Sequence, residues 1–352
     1  MDLEHHSAPA WSPEPPPPAR RRLGPGLLAA AMAVLLLFGG VGLYALRQSN
    51  AAAAPGAGSP DAAAAGLLAA LDAKRLDQAA RFLDGHEALL VGTYRARILD
   101  LVAAAGGGGV SVRDARFTRV AGSADVAVLE LAGGSVTLSG PGGQSLQLPV
   151  DELDKRLAQQ THGAVSAVRL VTVRSGGRWR VDLLASAAEQ ARLAARGGQP
   201  DYQLLAGAAP GKGAASPDGA VRGLAAAVAA DPTSAIDWLA PDERAVAAAY
   251  RAALLARRPE LGLRPGNLRV RDLRLRDEPV AAQVVRVRLL GGQLLLRGLP
   301  GAPSSVPLDR AGRQAGATPY VVAVQRGGAW YPSLEFTAAD WLVSHPPTRE
   351  RP

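Results

Sequence analysis

Apolar positions along this chain fall into two regimes, and the switch from one to the other happens twice. Leu67, Leu68 and Leu71 within 62–73 stand at helical spacing, and the pattern continues through 76–83 and 87–104, which predicts three helices. From Val110 the period becomes two. VSVRDARFTRV, ADVAVLELA, SVTLS and AVRLVTVRSGGRWRVDLLA then read as successive antiparallel strands. Gly133-Gly134 and Gly176-Gly177 read as turns between strands, because tight hairpins need positive φ. The same order returns with helices near 217–230, 233–240 and 242–257. Strands follow near 267–276, 282–290, 293–297, 318–326 and 329–335.

The second passage repeats the first. Residues 110–151 align with 268–309 at a constant offset of 158 without a gap, with 14 identities over 42 positions. Shared composition alone would give about three or four. Among the identities are Val112/Val270, Arg113/Arg271, Asp114/Asp272, Arg116/Arg274, Gly133/Gly291 and Gly134/Gly292. Upstream the offset is 156, pairing Tyr94 with Tyr250 and Phe82-Leu83 with Trp238-Leu239. Downstream it is 151, pairing Trp179 with Trp330. Offsets that change only where loops lengthen are the mark of duplication followed by loop drift.

One irregularity recurs in both copies. The inward phase slips by one residue at Arg113-Asp114 and again at Arg271-Asp272, and a single-residue slip would turn every later side chain to the other face. A β-bulge at each site is the economical reading.

Helices first and a meander after give an α+β fold class, with three helices packed on a curved antiparallel sheet in each repeat. The organisation expected is repeat 1 over 61–196, a Gly/Ala/Pro-rich linker over 197–216, repeat 2 over 217–345 and a frayed tail over 346–352. Ahead of the repeats, 26–46 is uncharged. Its 21 residues make roughly 31 Å of helix, so a transmembrane helix is expected within 23–47. A cleaved signal peptide is the alternative, although signal h-regions usually run to about 15 residues at most. Arg20-Arg21-Arg22 on the near flank would keep a Pro-rich tail over 1–22 cytoplasmic. A stalk over 48–60 and both repeats would then lie outside the cell membrane. The proline run reads as a spacer more readily than as a docking motif for an aromatic groove.

Composition narrows the chemistry. Of 39 basic residues 36 are arginine, against 31 acidic ones, for a net charge of +8. There is no cysteine, so disulfides, thiolate metal sites, cysteine nucleophiles and lipidated cysteines are excluded.

The Gly-Gly-x-Trp strand ends (Gly176-Gly177-Arg178-Trp179 and Gly327-Gly328-Ala329-Trp330), the small-apolar first helices and the Phe82-Leu83 and Trp238-Leu239 pairs resemble the nuclear transport factor two-like (cystatin-like) superfamily. The resemblance spans about 260 residues. It implies tandem cone-shaped ectodomains of a bacterial, actinobacterial-type envelope protein, on a fold that hosts enzymes, binders and assembly modules alike.

Candidate chemistry is sparse. His86, His162 and His345 stand alone in sequence with no partner at metal spacing, and His86 reads as a surface or capping residue at a helix start. Asp114 and Asp272, at the phase slip, are the candidates for a buried general base of the kind the superfamily's enzymes use. Ion pairing with the neighbouring arginines is the stronger reading. Asp151 and Asp309 suit helix N-caps. Trp179, Trp330, Tyr94 and Tyr250 read as core residues rather than as a ligand mouth. The arginine-rich stretch 264–276 reads as a solvated strand face, with lipid head groups or anionic cell-wall polymers as its accessible partners and nucleic acid not expected. No catalytic, cofactor-binding or metal residue is assigned. The function expected is non-enzymatic ligand or partner binding by the two repeats. The alternative is an isomerase-like or hydrolytic enzyme acting on a lipid or wall precursor.

Overall fold

A computed structural model describes residues 56–73, 75–104, 109–139, 145–207, 211–256, 267–296, 305–308 and 318–345. Repeat 1 opens with helices α1 (Pro60–Asp72), α2 (Leu76–Phe82) and α3 (Gly85–Ala104). Strands β1 (Gly109–Gly122), β2 (Val126–Ser139) and β3 (Ser145–Pro149) follow. Then come α4 (Val150–Gln160), β4 (Arg169–Ser175), β5 (Arg178–Asp182) and α5 (Leu183–Ala194). Repeat 2 gives α6 (Pro217–Ala230), a 3-10 turn (Pro232–Trp238), α7 (Pro241–Ala249) and α8 (Arg251–Ala256). It continues through β6 (Leu268–Ala281), β7 (Val284–Leu296), β8 (Ser305–Pro307), β9 (Tyr320–Arg326), β10 (Ala329–Ser333) and α9 (Leu334–Ser344).

Two α+β units with matching antiparallel sheets are therefore present. The strand order is β1-β2-β4-β5 in one and β6-β7-β9-β10 in the other, with β3 and β8 added beside the far halves of β2 and β7. The membrane-crossing helix expected at the head of this fold does not stand. Among the described residues no helix is long and apolar enough to cross a membrane. The longest, α3, carries Glu87, Arg95, Arg97 and Asp100. The stretch 26–46 lies outside the described residues, as do Arg264 and Asp309.

The bulges are where the phase slip put them. Pairing jumps from Arg113↔Ser135 to Arg116↔Gly133, and from Arg271↔Gln293 to Arg274↔Gly291. Asp114 and Asp272 sit there at φ 53° and 52°, in the left-handed region that aspartate tolerates better than most residues. The glycine pairs opposite are not turns, as the pattern suggested. β2 and β7 run straight through them. Gly134 and Gly292 have positive φ, and the guanidinium groups of Arg116 and Arg274 lie over Gly133 and Gly291. The aspartate, the arginine and both glycines are thus one device that bends a long two-stranded ribbon, which explains why they survived the duplication. Gly176-Gly177 and Gly327-Gly328 do form hairpin turns, with positive φ at all four residues.

The last element of each repeat differs from expectation. The segment after β5 is a helix, α5, capped by the Asp182 carboxylate, which accepts from the Ala185 amide. Its counterpart α9 is capped by Ser333 through the Phe336 amide. Asp151 is not an N-cap, since Pro149 holds that place. It lies in the first turn of α4, where a carboxylate suits the helix dipole. Within the linker expected over 197–216, Tyr202 and Leu205 are buried in the core.

Each sheet is covered on both faces, and one cover comes from the other repeat. Helix α1 packs with Ala127, Leu129, Trp179 and Val181 on one face of the first sheet. The opposite face, Val126, Val128, Val171 and Val173, is covered by α5 together with Val246, Ala249 and Tyr250 of repeat 2. Reciprocally, Leu90, Tyr94 and Ile98 of α3 pack on Val284, Val322 and Val324 of the second sheet, beside Phe336 and Ala339 of α9. The third helix of each repeat is exchanged. Burying one large apolar side chain contributes about 1.5–3 kcal/mol, so three of them approach the whole 5–15 kcal/mol that keeps a typical domain folded. Separately produced polypeptides ending at 207 and beginning at 211 should each lack cooperative unfolding and regain it on mixing. Circular dichroism melts read this directly, and sharp transitions of the separate fragments would refute the exchange as a stability requirement.

A second expectation concerns helix contacts. Gly66 faces the Phe82 ring and Gly223 the Trp238 ring so closely that a Cβ would collide with either, whereas Gly92 in α3 has open space around it. Gly223→Ala should cost about 1–3 kcal/mol. Gly92→Ala should gain up to about 1 kcal/mol from helix propensity. Urea denaturation midpoints of the two variants should therefore move in opposite directions.

Candidate functional site

The exchange brings buried ionisable groups together at the junction of the repeats. Glu87, near the start of α3, and Glu243, near the start of α7, are equivalent at the offset of 156. Each caps the last helix of its own repeat. Glu87 Oε1 accepts from the amides of Leu183 at 2.8 Å and Leu184 at 3.2 Å. Glu243 Oε1 accepts from the Glu335 amide at 2.8 Å and from Ser333 Oγ at 2.6 Å, while its Oε2 accepts from the Leu334 amide at 3.1 Å. Helix N-termini present unpaired amides and positive dipole ends, so a carboxylate is the fitting buried partner.

His86 lies between these caps. It is 1% exposed, overturning its reading as a surface residue, and its ring meets Phe336 edge-on at 5.0 Å. Nδ1 is 3.5 Å from Asp242 Oδ2 and 3.4 Å from Arg326 Nη2, which also donates to the Gly85 carbonyl. Nε2 is 3.2 Å from Glu335 Oε2 and 3.8 Å from Glu243 Oε1. Burial pulls the imidazole pKa down, but the carboxylates of Glu243 and Glu335 facing Nε2 outweigh it and raise it to about 10. Glu87 is pushed up by burial and then by the Asp182 charge. Asp182 is raised to about 7 by burial, partly offset by its bond from the Ala185 amide. Among the described residues, His86, Glu243 and Glu335 are the one group of His, Asp and Glu whose ligand atoms all lie within 4.8 Å of one another.

A second pair of buried carboxylates fixes the exchanged helices. Glu189 on α5 is fully buried and accepts from Arg192, from Arg169 at 3.2 Å, from Tyr202 Oη at 3.2 Å and from Tyr250 Oη of repeat 2 at 3.3 Å. Burial alone would raise its pKa, but Arg192 and Arg169 hold it below the usual carboxylate range. At the equivalent place on α9, Asp340 takes a two-point bond from Arg286 at 2.8 and 2.9 Å. Tyr94 of repeat 1 is near enough for the Asp340 charge to add to burial in raising its hydroxyl pKa.

The sequence-derived candidates distribute differently. Asp114 and Asp272 are exposed at their bulges and point a carboxylate into no core. His162 and His345 are exposed, the latter stacked on Trp341 at 3.9 Å. Trp179, Tyr94 and Tyr250 are core residues as expected, and Trp330 packs at a core edge. Glu243, Glu335, Glu189 and Asp340 were missed. The identity of Glu87 with Glu243, seven residues before each tyrosine, was the available signal for one of them.

On the outer surface, β1 and β6 each have a single hydrogen-bonded neighbour. Arg113, Arg116 and Arg119 are exposed on β1, and Arg269, Arg271, Arg274 and Arg276 on β6. Beside the β6 bulge an open recess of about 670 Å³ is lined by Arg222, Arg274, Asp272, Gln293 and Pro307.

Against known proteins the chain has no match: no family model, no curated protein and no solved structure corresponds to it.

Removing one partner of a buried ion pair leaves the other charge uncompensated, so Glu189→Gln should cost about 3 kcal/mol. Tyr250→Phe, which leaves the carboxylate its other donors, should cost about 1.5 kcal/mol. Because the Glu189 pKa is depressed, its contribution is complete above the ordinary carboxylate value and is lost as pH falls through the lowered folded one. Urea titrations between neutral and acid pH should show a gap between wild type and Glu189→Gln that narrows only at the acid end.

Proposed function

We propose that this chain is a non-enzymatic binding module in which the interlocked repeats present arginine-lined edge strands to an acidic, extended partner of the anionic-polymer class. The observation that carries the reading is the side of β6: Arg269, Arg271, Arg274 and Arg276 are all exposed along one strand, with Arg222 of α6 beside the bulge. The equivalent strand β1 carries three exposed arginines of its own. A guanidinium offers a fixed fork of donors for carboxylate or phosphate oxygens, so a row of them suits a repeating anion better than a single small ligand. Two such edges on one chain add avidity without new contacts.

The packing of ionisable groups also favours binding over catalysis. A general base needs reach to its substrate. His86, Glu87, Glu243 and Glu335 are at most 9% exposed, and the caps and Phe336 occupy their surroundings. The relation to the nuclear transport factor two-like superfamily belongs to this proposal too, supported by helices that precede a bulged, bent sheet in each repeat.

The test is titration of labelled heparin and labelled polyglutamate with the full chain and with a variant in which Arg269, Arg271, Arg274 and Arg276 are all glutamine. Counterion release from four contacts predicts that wild-type affinity falls roughly 50-fold between about 50 and 200 mM salt, with a flatter slope for the variant. Equal affinity and equal slope for the two proteins would end the proposal.

A further inference from the structure

We propose that His86, Glu243 and Glu335 bind one divalent metal ion of the zinc class, clamping repeat 1 to repeat 2 at their junction. Geometry is the first support. Nitrogen and oxygen ligands on one tetrahedral zinc stand roughly 3.3–3.5 Å apart. Nε2 of His86 is 3.2 Å from Glu335 Oε2, close to that spacing, and 3.8 Å from Glu243 Oε1, a few tenths of an ångström wide of it.

The second support is the state of the atoms themselves. His86 Nε2 and Glu335 Oε2 are buried and neither has a hydrogen-bond partner, although they are near enough to make one bond between them. Their directions do not meet along a hydrogen bond, which suits two groups that address a third point. Buried polar atoms without partners are costly, and one ion between these two would satisfy both.

Charge balance is the third. On the Nδ1 side the charges of Arg326 and Asp242 offset one another, so two buried carboxylates beside an imidazolium leave one negative charge uncompensated, whereas the same carboxylates and a neutral imidazole match a divalent cation. One imidazole with two carboxylates is a donor set that zinc, manganese and ferrous iron accept. Nδ1 is shared between Arg326 at 3.4 Å and Asp242 at 3.5 Å, and with zinc on Nε2 the Nδ1 proton would turn to the Asp242 carboxylate, the partner that orients a metal-binding histidine.

The duplication supplies an independent argument. At the symmetry-related place the equivalents of His86, Glu243 and Glu335 are Asp242, Glu87 and Leu184. The capping glutamate is present in both copies, because both last helices need it. The imidazole and the extra carboxylate occur together at one place only, which helix capping does not require. Glu243 Oε1 already accepts two hydrogen bonds, so the ion would be held chiefly by His86 and Glu335, with Glu243 as the third and weaker ligand.

The test uses the full chain, stripped with chelator, unfolded in urea and refolded with or without zinc chloride, because the site is closed in the folded state. After dialysis, wild type should retain one zinc more per chain than Glu335→Gln or His86→Gln and should unfold at higher urea in zinc than without it. Asp242→Asn should bind about 10–100-fold more weakly. Zinc held equally by wild type and Glu335→Gln belongs to other histidines and overturns the assignment, as does a zinc-independent unfolding midpoint. Should neither ligand variant fold, nitrogen-15 spectra of wild-type His86 decide. A zinc-dependent shift of Nε2 supports the site, and an unchanged ring overturns it.

Discussion

Each sheet of this molecule is completed by a helix from the other repeat, and most other features follow from that exchange. A two-faced sheet with valines on both sides cannot leave one side in water. Repeat 1 supplies Leu90, Tyr94 and Ile98 to the second sheet, and repeat 2 supplies Val246, Ala249 and Tyr250 to the first. Neither repeat is a finished hydrophobic unit, so the tandem arrangement is a folding requirement and not two beads on a string. In a chain without cysteine, the cohesion between repeats must come from such burial and from buried charge.

Buried charge touches the exchange only through tyrosine. Glu189 and Asp340 occupy equivalent positions on the last helices, each neutralised by arginine on its own sheet and each approached by the tyrosine of the exchanged helix. A buried carboxylate with no counter-charge would cost several kcal/mol, so a slipped helix that removed the tyrosine while leaving the arginine would be penalised less than one that disturbed both. Register is therefore set mainly by packing, with the tyrosine hydroxyls as a finer adjustment.

Much of this was legible in the sequence, and the remainder was hidden for definable reasons. The duplication and the bulges could be read because identity and phase are properties of the chain itself: Asp114 and Asp272 mark a slip that any strand must accommodate. The glycine pairs Gly133-Gly134 and Gly291-Gly292 misled, because a pair with positive φ serves a bent strand as well as it serves a turn. The exchange could not be read, since helical period shows which side of 87–104 is apolar but not which sheet covers it. The last helices were lost because RVDLLA continues a strand pattern up to the capping Asp182. His86 looked solitary because its neighbours are 157 and 249 positions away in sequence, and only the exchanged fold closes that distance.

Under the proposed function the arginine edges would serve both folding and binding. An edge strand with a free row of amides and carbonyls invites pairing with another chain, and charge along it is a common deterrent. On β1 and β6 the cationic deterrent is arginine, beside Asp114, Asp272, Asp277 and the bulges themselves, in a chain whose cations are almost all arginine. Lysine would repel another edge equally well, and under the proposed function the guanidinium adds forked recognition of oxyanions. Part of the choice is structural, since Arg116 and Arg274 lie flat over Gly133 and Gly291 and stiffen the bulge. Arg269, Arg271 and Arg276 have no such structural role on the strand. They share one exposed strand with Arg274, and the bulge between Arg271 and Arg274 changes the direction in which the later pair projects. Under the proposed function, that bent row is the path an extended anion would follow.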